Sequence, residues 1–138
     1  LIGTIQNEIG DMAIPAKHTT PDPGELHALF ARMAKAGCEY VVMEASSHAL
    51  DQHRLDGIQF ACAVFTNLTQ DHLDYHGTME NYFQAKAKLF SMADNAVVNY
   101  DDEYGKLLDD MLCCRKFSFS THDNNADFTA RTITLLPI

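Results

Sequence analysis

The sequence contains no tryptophan, and it has few prolines, few glycines and a shortage of positive charge. Its 10 lysines and arginines stand against 19 aspartates and glutamates, which gives a formal net charge of −9. This acidic balance argues against a nucleic acid as a partner, because a phosphate backbone would be repelled. An anionic ligand would need a site that is locally positive or that holds a metal ion.

Cysteines and long apolar runs are also scarce. The sequence has four cysteines and no C-x-x-C pair, which excludes the usual zinc-ribbon and secreted disulfide patterns. No stretch approaches the roughly 20 apolar residues that cross a bilayer, and no signal peptide begins the chain. We therefore expect reduced thiols in a cytoplasmic protein that is not bound to a membrane.

The 138 residues, of which 46% are hydrophobic, are enough for one compact domain with its own core. The chain nevertheless begins in "LIGTI" and stops in "TITLLPI", and both segments are typical of strand interiors. We therefore expect residues 1–138 to form a single partial domain, a fragment truncated at both ends.

Strands and helices are predicted to alternate along the chain. The predicted strands are 1–5, 38–43, 58–66, 95–99, 116–120 and 127–136, and the predicted helices are 22–37, 78–93 and 101–112. Residues 6–21 are predicted to be a loop, and Asp22 is expected to form a capping box with Glu25. This alternation predicts an α/β fold with an open, mostly parallel, doubly wound sheet on which helices 22–37 and 78–93 pack.

Polar side chains gather after two of the predicted strands. "EASSHALDQHR" (44–54) follows the apolar run "CEYVVM", and "TNLTQDHLDYHG" (66–77) follows the next strand. In open parallel sheets, ligands bind just beyond the carboxyl ends of the strands. The two clusters therefore predict a binding site at one edge of the sheet.

The segment "DHLDYH" (71–76) places two aspartates and two histidines within six residues. One interpretation is a site for Zn²⁺, Mn²⁺ or Mg²⁺, because imidazole and carboxylate groups bind these ions. The other interpretation is a polar loop whose acids cap a helix. The spacing alone leaves both open.

Lys86 lies on the apolar face of the predicted helix 78–93, whereas Lys88 points elsewhere. The apolar residues that recur around it at three- and four-residue spacing are Met79, Tyr82, Phe83, Leu89 and Phe90. Such a lysine either extends to solvent, pairs with an acid or lowers its pKa. In the last case its amine could take up CO2, and the carbamylated lysine would offer a carboxylate to a cation.

Gln52 and Arg54 follow the strand-end acid, and Thr19 and Thr20 precede a proline. Their ordinary interpretation is surface solvation and a turn. Their functional interpretation is recognition of an anionic ligand, because the planar guanidinium group offers paired donors.

Several motifs together resemble the central domain of the Mur ligase family, and within it the ligases that make UDP-N-acetylmuramoyl-tripeptides. These motifs are "GTI" (3–5), "TTP" (19–21), "MEASSHAL" (43–50), "QHR" (52–54), "FTNLTQDHLDYHGTMENY" (65–82), "AKAKLF" (85–90) and "NYDDEYG" (99–105). The similarity covers residues 1–112 well and the remainder loosely.

The resemblance implies an ATP-dependent ligase of the bacterial cytoplasm that forms an amide bond through an acyl phosphate. It would add diaminopimelate or lysine as the third peptide residue of UDP-N-acetylmuramoyl-L-alanyl-D-glutamate during peptidoglycan synthesis. The implied partners are this UDP-muramoyl-dipeptide, ATP and an amino acid, and the implied cofactor is Mg²⁺. The protein is expected to act as a monomer.

The resemblance also implies roles for single residues. Glu44 and His72 match ligands that hold magnesium near the nucleotide phosphates. Lys86 matches a carbamylated lysine that helps to position a second Mg²⁺, so that Lys86 and His72 are the implied catalytic residues. The residues implied to hold the UDP-muramoyl-dipeptide are Thr19, Thr20, Ser46, Gln52 and Arg54.

The family's glycine-rich phosphate loop and its flanking domains are absent from the sequence, and we therefore expect the chain alone to have no ligase activity. Two alternative functions stay open. One is folylpolyglutamate synthase, a relative with the same ATP chemistry. The other is a metal-dependent hydrolase that uses Asp71, His72, Asp74 and His76.

Overall fold

The computed structural model describes residues 1–134, and the chain divides into two compact units. The first unit is Leu1–Gly57, and the second begins at Ile58. Each unit contains its own strands and helices. The single partial domain over residues 1–138 stays a prediction.

The first unit begins with an antiparallel hairpin of β1 (Gln6–Ile9) and β2 (Met12–Pro15). The chain reverses at Gly10, whose positive φ of 58° suits glycine. The predicted loop over residues 6–21 is therefore wrong in its first part. Asn7 is one of the two inward positions of β1, and this polar residue hides the apolar alternation by which a strand is recognised.

Two helices complete the first unit. Helix α1 (Pro23–Lys35) was predicted, and it buries Leu26, Leu29 and Met33. The predicted capping box is wrong, because the Asp22 side chain makes no cap hydrogen bond and instead lies 3.4 Å from the Arg54 guanidinium group. Helix α2 (Ser47–Asp51) was not predicted, since five residues are too short to show a helical period.

The predicted buried strand 38–43 is also wrong. Only Met43 pairs with the segment predicted as strand 1–5, in a single parallel bridge to Ile2. Tyr40 is 87% exposed and Val42 is 68% exposed. Among the described residues, no continuous strand forms over 38–43, and its three central apolar residues, Tyr40, Val41 and Val42, are exposed. An apolar run indicates that a segment can be buried, but burial also requires other strands or helices that cover it.

The second unit contains a parallel sheet, which confirms the predicted α/β fold class. The strands lie in the order β3 (Ala63–Phe65), β4 (Asn95–Asn99), β5 (Arg115–Ser120) and β6 (Phe128–Thr129). Strand β3 is shorter than the predicted 58–66, and β6 is shorter than the predicted 127–136. Residues 135–136 of that prediction lie outside the described residues.

Three helices accompany the sheet: α3 (Leu73–His76), α4 (Met79–Ala87) and α5 (Glu103–Met111). Thr78 caps α4 as expected, because its hydroxyl accepts a hydrogen bond from the Asn81 N–H. The predicted helix 78–93 continues beyond α4 only as a 3₁₀ helix, Lys88–Met92. The core joins sheet and helix residues, among them Phe65, Phe83, Phe90, Val98 and Leu108. The packing of α1 on this sheet stays a prediction.

Two further observations concern the described residues. The four cysteines form no disulfide in the structure, and reduced thiols stay a prediction. Within residues 1–134, no helix combines the length and the apolar character that crossing a membrane requires.

Gly105 provides a test of how α5 packs against the end of β4. A Cβ atom at this position would lie 2.0 Å from the backbone oxygen of Asn99. Alanine favours a helix by about 1 kcal/mol over glycine, but relieving this clash should cost about 1–3 kcal/mol. We predict that Gly105→Ala lowers the urea midpoint of unfolding.

Gly24 is the matched control for this substitution. It lies in the first turn of α1, and nothing is within 4 Å of a Cβ built on it. Gly24→Ala should leave the stability unchanged or raise it by up to about 1 kcal/mol. Equal midpoints for Gly105→Ala and Gly24→Ala would contradict the packing described here.

Candidate functional site

Glu44 lies in the first unit, where Thr4 holds its carboxylate. The Thr4 hydroxyl donates to Glu44 Oε2 over 2.5 Å, and it lies 3.0 Å from the Thr19 hydroxyl. Gly3 lies close to the other carboxylate oxygen, because a Cβ atom built on Gly3 would be 3.3 Å from Glu44 Oε1. The carboxylate is therefore fixed in orientation although the residue itself is exposed.

Thr20 organises the loop that follows Glu44. Its side chain is buried, and its hydroxyl donates to the backbone oxygen of Glu44 over 2.8 Å. The same hydroxyl accepts from the backbone N–H of Ser46 over 2.9 Å. The Ser46 hydroxyl in turn caps α2 by accepting from the Ala49 N–H. Thr20 thus holds the turn between the Met43 bridge and α2.

Arg54 is fixed by three neighbours. Its Nε and Nη2 donate to Gln52 Oε1 over 3.0 and 2.6 Å, and its Nη1 donates to the Thr20 backbone oxygen over 3.3 Å. Its Nη1 is also 3.4 Å from the exposed carboxylate of Asp22. The guanidinium group is therefore oriented without any ligand, which lowers the entropy that binding would have to overcome.

The first unit thus brings together six of the residues that the sequence singled out. Contacts through Thr4 and Thr20 link Glu44 with Thr19, Thr20, Ser46, Gln52 and Arg54. Sequence reasoning did not assign roles to Thr4 or to the contact of Asp22 with Arg54. The motif "GTI" contained Thr4, but only the bridge between Ile2 and Met43 shows why Thr4 meets Glu44.

His72 lies in the second unit, at the residue before α3. Its backbone is left-handed, with φ of 53°, a conformation that costs a non-glycine residue about 1–2 kcal/mol. Asp71 supports this turn by accepting the His72 backbone N–H over 2.8 Å. The second Asp71 oxygen lies 3.4 Å from His72 Nε2. Asp71 therefore constrains both the backbone and the ring of His72.

Lys86 is half-buried on α4, whereas Lys88 is exposed, so the predicted difference between the two lysines is confirmed. Burial lowers the pKa of Lys86, and the nearby charge of Asp71 opposes this effect by raising it. A lowered pKa increases the fraction of neutral, nucleophilic amine. Glu44 belongs to the first unit and His72 and Lys86 to the second, so these three residues form one metal set only as a prediction.

The "DHLDYH" segment does not form a metal centre by itself. Within residues 1–134, no three His, Cys, Asp or Glu side chains cluster in a way that could hold a metal ion. His76 is buried, and its ring stacks on Tyr82 with a centroid separation of 4.9 Å. The hydrolase alternative therefore loses its proposed ligand set.

An open pocket of about 530 Å³ lies beyond the carboxyl ends of β4 and β5, and its lining includes none of the predicted site residues. It is lined by Tyr100, Asp101, Lys106, His122, Asp123, Asn124 and Asn125. Asp101 already accepts hydrogen bonds from Ser120 and Thr121, and these bonds hold its pKa well below the usual range. This carboxylate thus closes the turn after β5.

Comparison with known proteins identifies relatives of the chain. The family model described as the Mur ligase middle domain matches residues 1–136. The UDP-N-acetylmuramoyl-L-alanyl-D-glutamate–2,6-diaminopimelate ligase of Clostridium perfringens is 48% identical over 134 residues, with 94% of this chain and 28% of the relative covered. The ligase of the same name from Synechocystis sp. is 47% identical, with 99% of this chain and 28% of the relative covered.

A solved structure of a ligase with this name superposes on the chain with a TM-score of 0.82 at 38% identity. The superposition covers 92% of this chain and 27% of the solved chain. The chain therefore spans just over a quarter of the length of these relatives.

The bridge made by Thr20 predicts a loss of stability when its hydroxyl is removed. Thr20→Val keeps the side-chain shape but leaves the Glu44 oxygen and the Ser46 N–H without this partner, which should cost about 1–3 kcal/mol. Thr20→Ser keeps the hydroxyl and should cost less. Urea unfolding of the two variants measures the difference, and a Thr20→Val protein as stable as Thr20→Ser would show that the hydroxyl does not hold the loop.

Proposed function

Because the chain belongs to the Mur ligase middle domain family, we propose that it is the central part of an ATP-dependent amide-bond ligase. Two substrates would be UDP-N-acetylmuramoyl-L-alanyl-D-glutamate and diaminopimelate, as in the names of the relatives from C. perfringens and Synechocystis. The third would be ATP. Those names favour diaminopimelate over lysine, and they do not favour folylpolyglutamate synthase. The protein would act in the cytoplasm as a monomer.

The structural observation that carries this proposal is Lys86. Lys86 is a half-buried lysine of lowered pKa on α4, and it feels the charge of Asp71, the residue that also constrains His72. Its neutral amine can attack CO2, with formation of an N–C bond and release of a proton to solvent. The resulting carbamate places a carboxylate at the end of a long side chain.

Magnesium is the ion that the family implies, and Mg²⁺ prefers oxygen ligands. In the first unit, the oriented Glu44 carboxylate would supply such an oxygen. In the second unit, a carbamate on Lys86 would supply oxygens and His72 a ring nitrogen. When bound, Mg²⁺ would offset the charge of the nucleotide phosphates and of the substrate carboxylate.

The first unit would hold the anionic substrate. Arg54 presents a guanidinium group already oriented by Gln52 and the Thr20 backbone, which suits a carboxylate or a diphosphate. Thr19, Ser46 and Gln52 would add hydroxyl and amide contacts. Thr20 has committed its hydroxyl to the loop, so its contribution would come mainly through the shape of that loop.

The reaction would then proceed in two steps. The γ-phosphate of ATP is transferred to the substrate carboxylate, and ADP leaves. The amine of diaminopimelate attacks the carbonyl carbon of the acyl phosphate, so that an amide bond forms and phosphate leaves. The amine loses a proton to solvent or to a base. Fixed positioning of the two anions in the first step is the contribution expected from this chain.

The proposed carbamate predicts the behaviour of Lys86 variants in the full-length ligase. Lys86→Arg keeps a positive charge but cannot form the carbamate, so kcat should fall at least about 10–100-fold. Lys86→Ala should be equally impaired and should recover part of its activity when a short carboxylic acid such as acetate is added. Steady-state kinetics with and without acetate measure both effects.

Lys88→Ala is the matched control, since Lys88 is exposed on the same stretch of chain. It should keep most of the activity, and acetate should not change it. If Lys86→Arg were as active as the unmodified ligase, Lys86 would be a structural residue and the carbamate assignment would be wrong.

A further inference from the structure

Tyr82 lies at the centre of an aromatic cluster beside Lys86. The Lys86 ammonium nitrogen is 5.3 Å from the centroid of the Tyr82 ring and lies over it. Tyr82 is only 6% exposed, so this ring is a fixed part of the core and not a mobile surface group. The ring quadrupole attracts the charged ammonium form of Lys86. It does not attract the neutral amine or a carbamate, so a role of the ring for those forms has to come from its packing against the side chain.

The spacing of Tyr82 and Lys86 makes this contact a property of the helix. The two residues are four apart on α4, and residues at this spacing lie on one helix face as neighbours. The half-buried Lys86 side chain therefore extends along the Tyr82 ring. A lysine side chain has many rotamers in water, and contact with the ring reduces the number that Lys86 can adopt.

His76 fixes the Tyr82 ring from the neighbouring helix α3. The two rings are nearly parallel, at an interplanar angle of 13° and a centroid distance of 4.9 Å. Tyr75 packs edge-on against His76 at 4.8 Å, and the Asn81 side chain donates to the His76 backbone oxygen over 3.0 Å. Tyr82 is thus held by contacts that join α3 to α4.

We propose that Tyr82 is a positioning residue for Lys86, and that it acts through its aromatic ring and not through its hydroxyl. The stacked His76 holds the ring, and the ring sets the direction in which the Lys86 side chain extends from α4. This inference rests on the proposed function, since it assumes that Lys86 carries out its role in the ligase.

The test uses three variants of the full-length ligase. Tyr82→Phe keeps the ring and should retain kcat within about twofold. Tyr82→Leu removes the ring and should lower kcat at least about tenfold, with smaller changes in KM, because Lys86 would lose its position but the substrates would keep their other contacts. Equal losses in Tyr82→Phe and Tyr82→Leu would assign the role to the hydroxyl and overturn the proposal.

A double variant separates positioning from a general structural role. In the Lys86→Ala ligase supplied with acetate, the lysine that Tyr82 positions is gone, so Tyr82→Leu should reduce the rescued activity less than about twofold. A further tenfold reduction would show that Tyr82 acts through the fold or through another residue. Circular dichroism and urea unfolding check the fold, and Tyr82→Met replaces Tyr82→Leu if the leucine variant is unfolded.

A spectroscopic measurement on the full-length ligase is independent of activity. A ring beneath the Lys86 ammonium group should shift the Lys86 ε-methylene protons upfield in NMR spectra. The shift should persist in Tyr82→Phe and vanish in Tyr82→Leu. If the protein without substitutions shows no such shift, the contact between Lys86 and the Tyr82 ring would be wrong.

The outcomes distinguish this inference from the proposed function. An inactive full-length protein, or a fully active Lys86→Ala variant, would refute the proposed function and the inference with it. An active ligase in which Lys86→Ala is impaired but Tyr82→Leu is normal would refute the inference alone.

Discussion

The half-buried position of Lys86 on the inward face of α4 is the constraint on which the candidate site depends. Helix α4 must pack Phe83 into the core of the second unit, and this packing sets the rotation of the helix. Lys86 follows Phe83 by three residues and is therefore carried inward. Burial lowers the pKa of Lys86. Lys88, two residues further along the chain, is exposed.

In the first unit, polar side chains are held in place on a backbone that is largely irregular. In the turn after Met43, the buried hydroxyl of Thr20 makes two hydrogen bonds with the backbone, to the Glu44 oxygen and from the Ser46 N–H. The same threonine offers its backbone oxygen to Arg54. Orientation of Arg54 and Glu44 therefore depends on a few side chains and not on a regular sheet.

Periodicity predicted those parts of the molecule in which local pattern and tertiary packing agree. Strands 95–99 and 116–120, helix α1 and the inward face of Lys86 follow from apolar spacing, and the structure shows them. Hairpin β1–β2 was missed because an inward position holds Asn7. The run 38–43 was predicted as a buried strand from its apolar composition. This prediction is wrong because composition does not show which neighbouring elements cover a segment.

The individual contacts between residues far apart in the chain could not be predicted from apolar spacing. Thr4 meets Glu44 across 40 positions, and this contact depends on the single bridge between Ile2 and Met43. The stacking of His76 on Tyr82 depends on how the short helix α3 turns into α4. The family resemblance implied the site residues, whereas the residues that hold them in place were identified only from the structure.

Direct detection of the carbamate on Lys86 tests the central claim. The full-length ligase, with magnesium and nucleotide present, would be equilibrated with ¹³C-labelled bicarbonate and examined by ¹³C NMR. The account predicts one protein-bound carbamate resonance that is absent from the Lys86→Arg protein and present in the Lys88→Ala protein. A ligase that is fully active and shows no such resonance would contradict it.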